Sequence, residues 1–204
     1  DPLKTGSPQS LLAWEPLGRQ GRASVARGPS QAEIAAFTGQ PAQEPLRVYV
    51  GKRSAATVEE RAALALAELE RVGGFDRAAL VIATPTGTGW LDPAGQMPLE
   101  YLLHGDVATV TVQYSYLPSW LSILVDPEIG EETARAVFRV IYDHWRSLPR
   151  ETRPKLYLNG LSLGSLNSEL SFNMFQILDD PMDGIFWIGT PFQNRTWADL
   201  TAGR

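Results

Sequence analysis

One pentapeptide in the second half of the chain could carry nucleophilic chemistry, namely Gly160-Leu161-Ser162-Leu163-Gly164. It has the form G-x-S-x-G of a nucleophile elbow, in which a serine stands on a sharp turn between a strand and a helix. The flanking glycines would supply the room and the dihedral freedom that such a turn demands. The pattern predicts Ser162 as a nucleophile. The alternative is a turn rich in Gly and Ser that carries no chemistry.

Residues near this turn could stabilise the negative charge that develops during attack on a carbonyl. Leu163 would offer its backbone N–H at the start of the next helix, where the helix dipole favours an oxyanion. A second donor would come from the loop after an earlier strand, and the Gly-rich run 85–90 occupies that place. We expect Thr86 and Gly87 to supply it. An ordinary Pro-Thr-Gly turn is the alternative, while a phosphate loop is disfavoured because the G-K-[ST] ending is missing.

A serine nucleophile needs a histidine base oriented by an acid, and in this arrangement both follow the serine along the chain. The sequence has two histidines, His104 and His144, and both precede Ser162. His104 stands just before a strand predicted at 107–114, and His144 lies late in a helix that runs back. Both are therefore expected at the opposite edge of the sheet from Ser162. Asp199 follows the last predicted strand and is the one candidate in these residues for the acid that would orient the base. Because both histidines are expected at the opposite edge, the sequence contains no histidine for the base itself.

Three aromatic residues follow the strand predicted at 107–114. Tyr114, Tyr116 and Trp120 leave that strand on the edge that should carry Ser162. They are candidates for lining an apolar pocket for an acyl or alcohol group, and packing in the core is the alternative.

The composition excludes several classes of function. The 204 residues suit one domain, with 44% hydrophobic and 20% charged residues, and the net charge of −5 offers no basic surface for nucleic acid. Without cysteine, disulfides, thiol catalysis and cysteine zinc sites are excluded, and no metal or cofactor is expected. No apolar run approaches the ~20 residues of a membrane-spanning helix, so this stretch of chain is expected to be soluble.

Apolar β-branched runs alternate with helical stretches, which predicts the α/β class with a mostly parallel sheet flanked by helices. Residues 1–46 are rich in Gly, Pro, Ser and Gln and predict an irregular lead-in that packs on the domain, with a short helix at 32–37. Thr57 and Glu60 predict a capping box that opens a helix. The other expected elements are strands at 47–50, 78–83, 107–114, 155–159 and 184–189 and helices at 98–103, 131–148 and 165–178.

Beyond these motifs, the chain resembles a bacterial, mainly actinobacterial, family of membrane-anchored proteins that end in an α/β-hydrolase domain, alpha/beta-hydrolase family 9. The matching stretches are residues 14–22, 34–39, 45–51, 84–90, 112–120 and 160–165. The resemblance implies that 47–204 is a partial α/β-hydrolase catalytic domain, truncated after the sixth strand of the family's sheet, with Ser162 as nucleophile. It also implies a membrane-embedded N-terminal portion outside these residues, and an acid and a histidine beyond residue 204.

Together these observations favour a serine hydrolase, esterase- or lipase-like, that forms an acyl-enzyme on Ser162. Its acid and histidine would come from a segment beyond residue 204, and a companion polypeptide carrying the rest of a nicked domain is the expected partner. The substrate would be an ester or acyl compound, and the membrane association of relatives points to a lipid-like one. The alternatives are an acyltransferase with the same nucleophile and a non-catalytic binding domain of the same fold.

Overall fold

The chain folds around a parallel β-sheet. Its computed structural model describes residues 1–126 and 128–202, so Pro127 and the last two residues of the expected 47–204 domain lie outside the described residues. The strands in the described part are β1 (Leu46–Val50), β2 (Ala79–Thr84), β3 (Val107–Val112), β4 (Lys155–Leu161) and β5 (Gly184–Ile188). Their order across the sheet is β1-β3-β2-β4-β5, and every neighbouring pair is parallel.

Helices connect the strands and cover both faces of the sheet. In the described residues they are α1 (Gly18–Ala26), α2 (Gln31–Thr38), α3 (Val58–Arg71), α4 (Pro93–Leu102), α5 (Ser119–Val125), α6 (Ile129–Ser147), α7 (Leu163–Leu170), α8 (Met174–Ile177) and α9 (Arg195–Thr201). The predicted class, a mostly parallel sheet flanked by helices, is confirmed. Thr57 and Glu60 form the predicted capping box at the start of α3.

Each face of the sheet has its own hydrophobic layer. On one face, Leu80 and Leu156 pack in a core that includes residues of α3, α6 and α8. On the other face, Val81 and Ala83 pack with Val25 of α1 and Leu99 of α4. Strands that are buried on both sides must be apolar at successive positions, which explains the continuous apolar runs in the sequence.

The connections after β2 and β4 leave the sheet on opposite faces. The chain passes from β2 through α4 on one face, and from β4 through α7 and α8 on the other. Because β2 and β4 are neighbours, a crevice opens between these connections at the carboxyl ends of the two strands. The loop 85–90 follows β2 and Ser162 follows β4, so both lie at this crevice.

The first 46 residues contain more helix than the sequence predicted. The helix expected at 32–37 is α2, which begins with a capping box between Ser30 and Glu33. The helix α1 was not predicted, because its glycines and polar residues favour a loop when taken alone. It packs on β1, where a Cβ on Gly21 would lie 2.5 Å from the ring of Tyr49. Long-range packing therefore decides the conformation of α1.

Three further differences from prediction concern helices after β3. The short helices α5 and α9 were not predicted. The single helix expected over 165–178 is divided into α7 and α8. The division occurs because Asn173 accepts the N–H of Gln176 and forms a new capping box, which starts α8.

Candidate active site

Ser162 occupies the tip of the turn between β4 and α7. Its backbone has φ 52° and ψ −120°, a region that residues with a side chain rarely adopt. Its N–H donates to the carbonyl of Ile188 at 2.9 Å, while its own carbonyl accepts the hydroxyl of Ser165 at 2.6 Å. Ser162 is exposed, and its Oγ makes no hydrogen bond to another described residue. The fold thus fixes the backbone on both sides and presents the hydroxyl.

Two glycines allow this turn to pack closely. A Cβ on Gly160 would lie 2.5 Å from the carbonyl oxygen of Gly164, and a Cβ on Gly164 would overlap the carbonyl oxygen of Thr84 at the end of β2. The predicted need for room is therefore confirmed. The predicted need for dihedral freedom is wrong, because neither glycine has a positive φ and the positive φ falls on Ser162.

The predicted oxyanion donors divide into two groups. Leu163 is the first residue of α7, and its N–H donates to no group in the described part of the chain. The N–H of Gly87 donates to Ser119 Oγ at 3.3 Å, which is long for a hydrogen bond. The N–H of Thr86 donates to the carbonyl of Trp90 at 3.0 Å. The prediction for Thr86 is corrected because its N–H closes the loop, whereas Leu163 and Gly87 stay as candidates.

Two side chains that the sequence analysis missed hold the loop 85–90. The hydroxyl of Tyr49 donates to the carbonyl of Gly89 at 2.7 Å, and Nε2 of Gln113 donates to the carbonyl of Thr88 at 2.9 Å. Burial raises the pKa of the Tyr49 phenol, so it stays protonated and able to donate. The sequence gives one weak sign of this role: Tyr49 lies in β1 and Gln113 directly follows β3, so each places a polar group near the carboxyl end of a strand.

The three aromatic candidates for a substrate pocket differ in burial. Tyr114 is 1% exposed and lines, with Thr84 and Pro85, a cavity of about 10 Å³. Such a cavity holds one water at most, so in this structure Tyr114 packs in the core, which is the alternative that the sequence left open. Burial also raises the pKa of its phenol. Tyr116 and Trp120 are exposed on the Ser162 side of the sheet, as expected.

Both histidines lie away from Ser162. His104 is in the turn between α4 and β3, at the amino ends of the strands. His144 lies near the end of α6. The centroid of its ring is 4.4 Å from that of Phe75, and its Nδ1 is 3.5 Å from a carboxylate oxygen of Glu70. These positions agree with the placement expected from the sequence.

The structure places Ser162, Leu163 and the loop that contains Gly87 at the carboxyl ends of the neighbouring strands β4 and β2, but no acid of the described residues hydrogen-bonds Ser162. Asp199 is on the exposed side of α9 and makes no hydrogen bond or ion pair with Ser162. Within residues 1–126 and 128–202, no group of three or more His, Asp or Glu side chains could hold a metal ion. The described part therefore offers an exposed serine and two candidate oxyanion donors, the N–H groups of Leu163 and Gly87.

Two family models match the chain. One is described as the Alpha/beta-hydrolase family and matches residues 46–204, and the other as the Alpha/beta-hydrolase family N-terminus and matches residues 1–29. Because the first model covers more than half of the chain, the protein belongs to the alpha/beta-hydrolase family. No curated protein and no solved structure matches the chain significantly. None of the helices in the described residues is long and apolar enough to cross a membrane.

The packing at Gly164 can be tested with an alanine substitution. We expect Gly164→Ala to lower the free energy of unfolding by about 1–3 kcal/mol, since the new methyl group would overlap the end of β2. Urea unfolding of the purified chain measures this change. Gly95→Ala in α4 is the matched control, because a Cβ there would make ordinary contacts starting at 3.4 Å. If Gly164→Ala unfolds with the same midpoint as Gly95→Ala, the close packing is contradicted.

Proposed function

We propose that this chain carries the nucleophile of a serine hydrolase, esterase- or lipase-like, that cleaves ester or acyl substrates. The observation that supports this most strongly is the exposed Ser162 at positive φ, next to the unbonded N–H of Leu163. A serine held in this way on a strand–turn–helix unit is the arrangement of a nucleophile elbow.

In the proposed reaction, Ser162 Oγ attacks the carbonyl carbon of the substrate and loses its proton to a base. The carbonyl oxygen becomes an oxyanion that accepts hydrogen bonds from the N–H groups of Leu163 and Gly87. The Gly87 N–H exchanges its long bond to Ser119 Oγ for this stronger acceptor. The intermediate then expels the protonated leaving group and leaves an acyl-enzyme, which water hydrolyses to the acid and free serine.

The base and the acid come, in this proposal, from a polypeptide segment outside these 204 residues. The positions of His104 and His144 support this, since both lie away from the carboxyl ends of the strands. The outer side of β5 supports it as well. Within the described residues no strand pairs there, and Ile185 and Phe186 of β5 are exposed. An unpaired apolar edge is a surface on which a further strand of a companion segment can add.

Apolar side chains near the crevice favour a substrate with an apolar acyl or alcohol group. Trp120 and Leu124 of α5 are exposed on one side of the site, and Phe192 is 90% exposed on the side of β5. A lipid-like ester fits such surroundings, because burial of these side chains against its chain would stabilise the complex.

A fluorophosphonate probe tests the proposed nucleophile. In protein purified together with its companion polypeptide, we expect one adduct per chain, located on Ser162 by peptide mass spectrometry. The chain alone should react about 10²–10⁴-fold more slowly, since it has no histidine near the hydroxyl to accept the proton. Ser162→Ala is the control and should remain unlabelled. If a preparation that contains the companion with its histidine gives no Ser162 adduct, the proposal is contradicted.

Added imidazole tests the missing base separately. We expect the labelling rate of Ser162 in the chain alone to rise in proportion to imidazole concentration, because neutral imidazole can accept the proton of the exposed hydroxyl. The acceleration should grow as the pH rises through the pKa of imidazole and the neutral form accumulates. Adduct formation on Ser162, measured by mass spectrometry, is the readout. A rate that does not respond to imidazole would show that the lack of a base is not what limits the reaction.

A further inference from the structure

We infer that Tyr49 and Gln113 are positioning residues, which hold the loop 85–90 in the conformation that presents the Gly87 N–H at the crevice. This inference rests on the proposed function, since the loop matters for reactivity only if Ser162 is a nucleophile. Neither side chain hydrogen-bonds Ser162, so both act through the loop.

Three successive carbonyl groups of the loop are held by donors from the protein. Gln113 Nε2 donates to the carbonyl of Thr88 and the Tyr49 hydroxyl donates to that of Gly89. The carbonyl of Trp90 accepts the N–H of Thr86 at 3.0 Å and its hydroxyl at 3.2 Å. Carbonyl oxygens engaged in this way are not turned toward a developing oxyanion, which they would repel.

The two side chains are themselves fixed in place. Tyr49 and Gln113 are 1% and 2% exposed, so their polar tips donate where water does not compete. Besides its bond to Thr88, Nε2 of Gln113 donates to the carbonyl of Ser115 at 3.0 Å. There is no spare space at the contact with the loop, because a Cβ on Gly89 would lie 2.7 Å from Nε2 of Gln113.

The loop that they hold packs against the turn of Ser162. The position of a Cβ on Gly164 overlaps the carbonyl oxygen of Thr84 and lies 2.9 Å from that of Pro85, the first residue of the loop. The first residue of the loop thus contacts the turn of Ser162, and we expect a shift of the loop to move Gly87 relative to the serine. Tyr49 and Gln113 bind the same loop that carries Gly87, so their effect on the proposed oxyanion donor passes through this loop alone.

A purely structural contribution of Tyr49 to stability can be separated from positioning with a matched control. Tyr142 of α6 is also buried, and its hydroxyl donates to the carbonyl of Asp180 at 2.6 Å. That bond joins α6 to the segment after α8 and does not involve the loop. Tyr142→Phe removes the same chemical group from the same kind of bond as Tyr49→Phe does.

The test compares the labelling kinetics of these variants with the fluorophosphonate in the presence of imidazole. We expect Tyr49→Phe to lower the second-order rate constant for Ser162 labelling about tenfold, the effect of losing one such hydrogen bond from the oxyanion donor's support. Gln113→Met should act in the same direction. Tyr142→Phe should change the rate by less than about twofold. Hydrogen exchange of the peptide that spans the loop should become faster in Tyr49→Phe and stay unchanged in Tyr142→Phe.

The possible outcomes distinguish the two claims. Labelling of the wild-type chain at Ser162, with equal rates in Tyr49→Phe and Tyr142→Phe, overturns the positioning inference and leaves the proposed function standing. Failure of the wild-type chain to label even with its companion present overturns both. Unchanged hydrogen exchange of the loop in Tyr49→Phe contradicts the inference independently of any reaction.

Discussion

The contact between the 160–164 turn and the end of β2 is the constraint on which the candidate site depends. Gly164 has no side chain, so the start of α7 can approach the carbonyl of Thr84. This approach brings the first N–H of α7 and the loop after β2 to the same crevice. Hydrogen bonds on both sides of Ser162 stabilise its unusual backbone, which would otherwise relax to a negative φ. Geometry at one serine thus follows from packing between two neighbouring strands.

Much of the fold could be predicted from the sequence, because local patterns reflect it. Strands that are buried on both faces produce continuous apolar runs, and the capping box of Thr57 and Glu60 marks the start of a helix. The turn at Ser162 was recognised because G-x-S-x-G lies between a strand pattern and a helix pattern. Of the two roles predicted for its glycines, the need for space is confirmed. The need for a positive φ is not, because that conformation falls on Ser162.

The parts that could not be predicted depend on contacts between distant residues. The helix α1 forms against β1, and nothing within its own residues shows this. Thr86 and Gly87 look equivalent in the sequence, yet the N–H of Thr86 closes its own loop and that of Gly87 has only a long bond. The sequence allows Tyr114 either in a pocket or in the core, and only the burial of its side chain shows that it packs in the core.

The site divides the proposed chemistry between two parts of a protein. In the proposed function, this chain would supply the nucleophile and the donors for the oxyanion, and a histidine from another segment would carry out proton transfer. The open side of β5 is where such a segment would complete the sheet. A binding domain of the same fold has no need for a strained serine with an unbonded hydroxyl, and this argues for the catalytic interpretation.

A crystal structure of the chain with a phosphonate bound covalently to Ser162 Oγ tests the central claim most directly. The phosphonyl oxygen stands for the oxyanion of the tetrahedral intermediate. We expect this oxygen to lie within about 2.7–3.1 Å of the backbone nitrogens of Leu163 and Gly87, with the loop 85–90 unmoved. A phosphonyl oxygen that points into solvent, or that is bound by other groups, would contradict it.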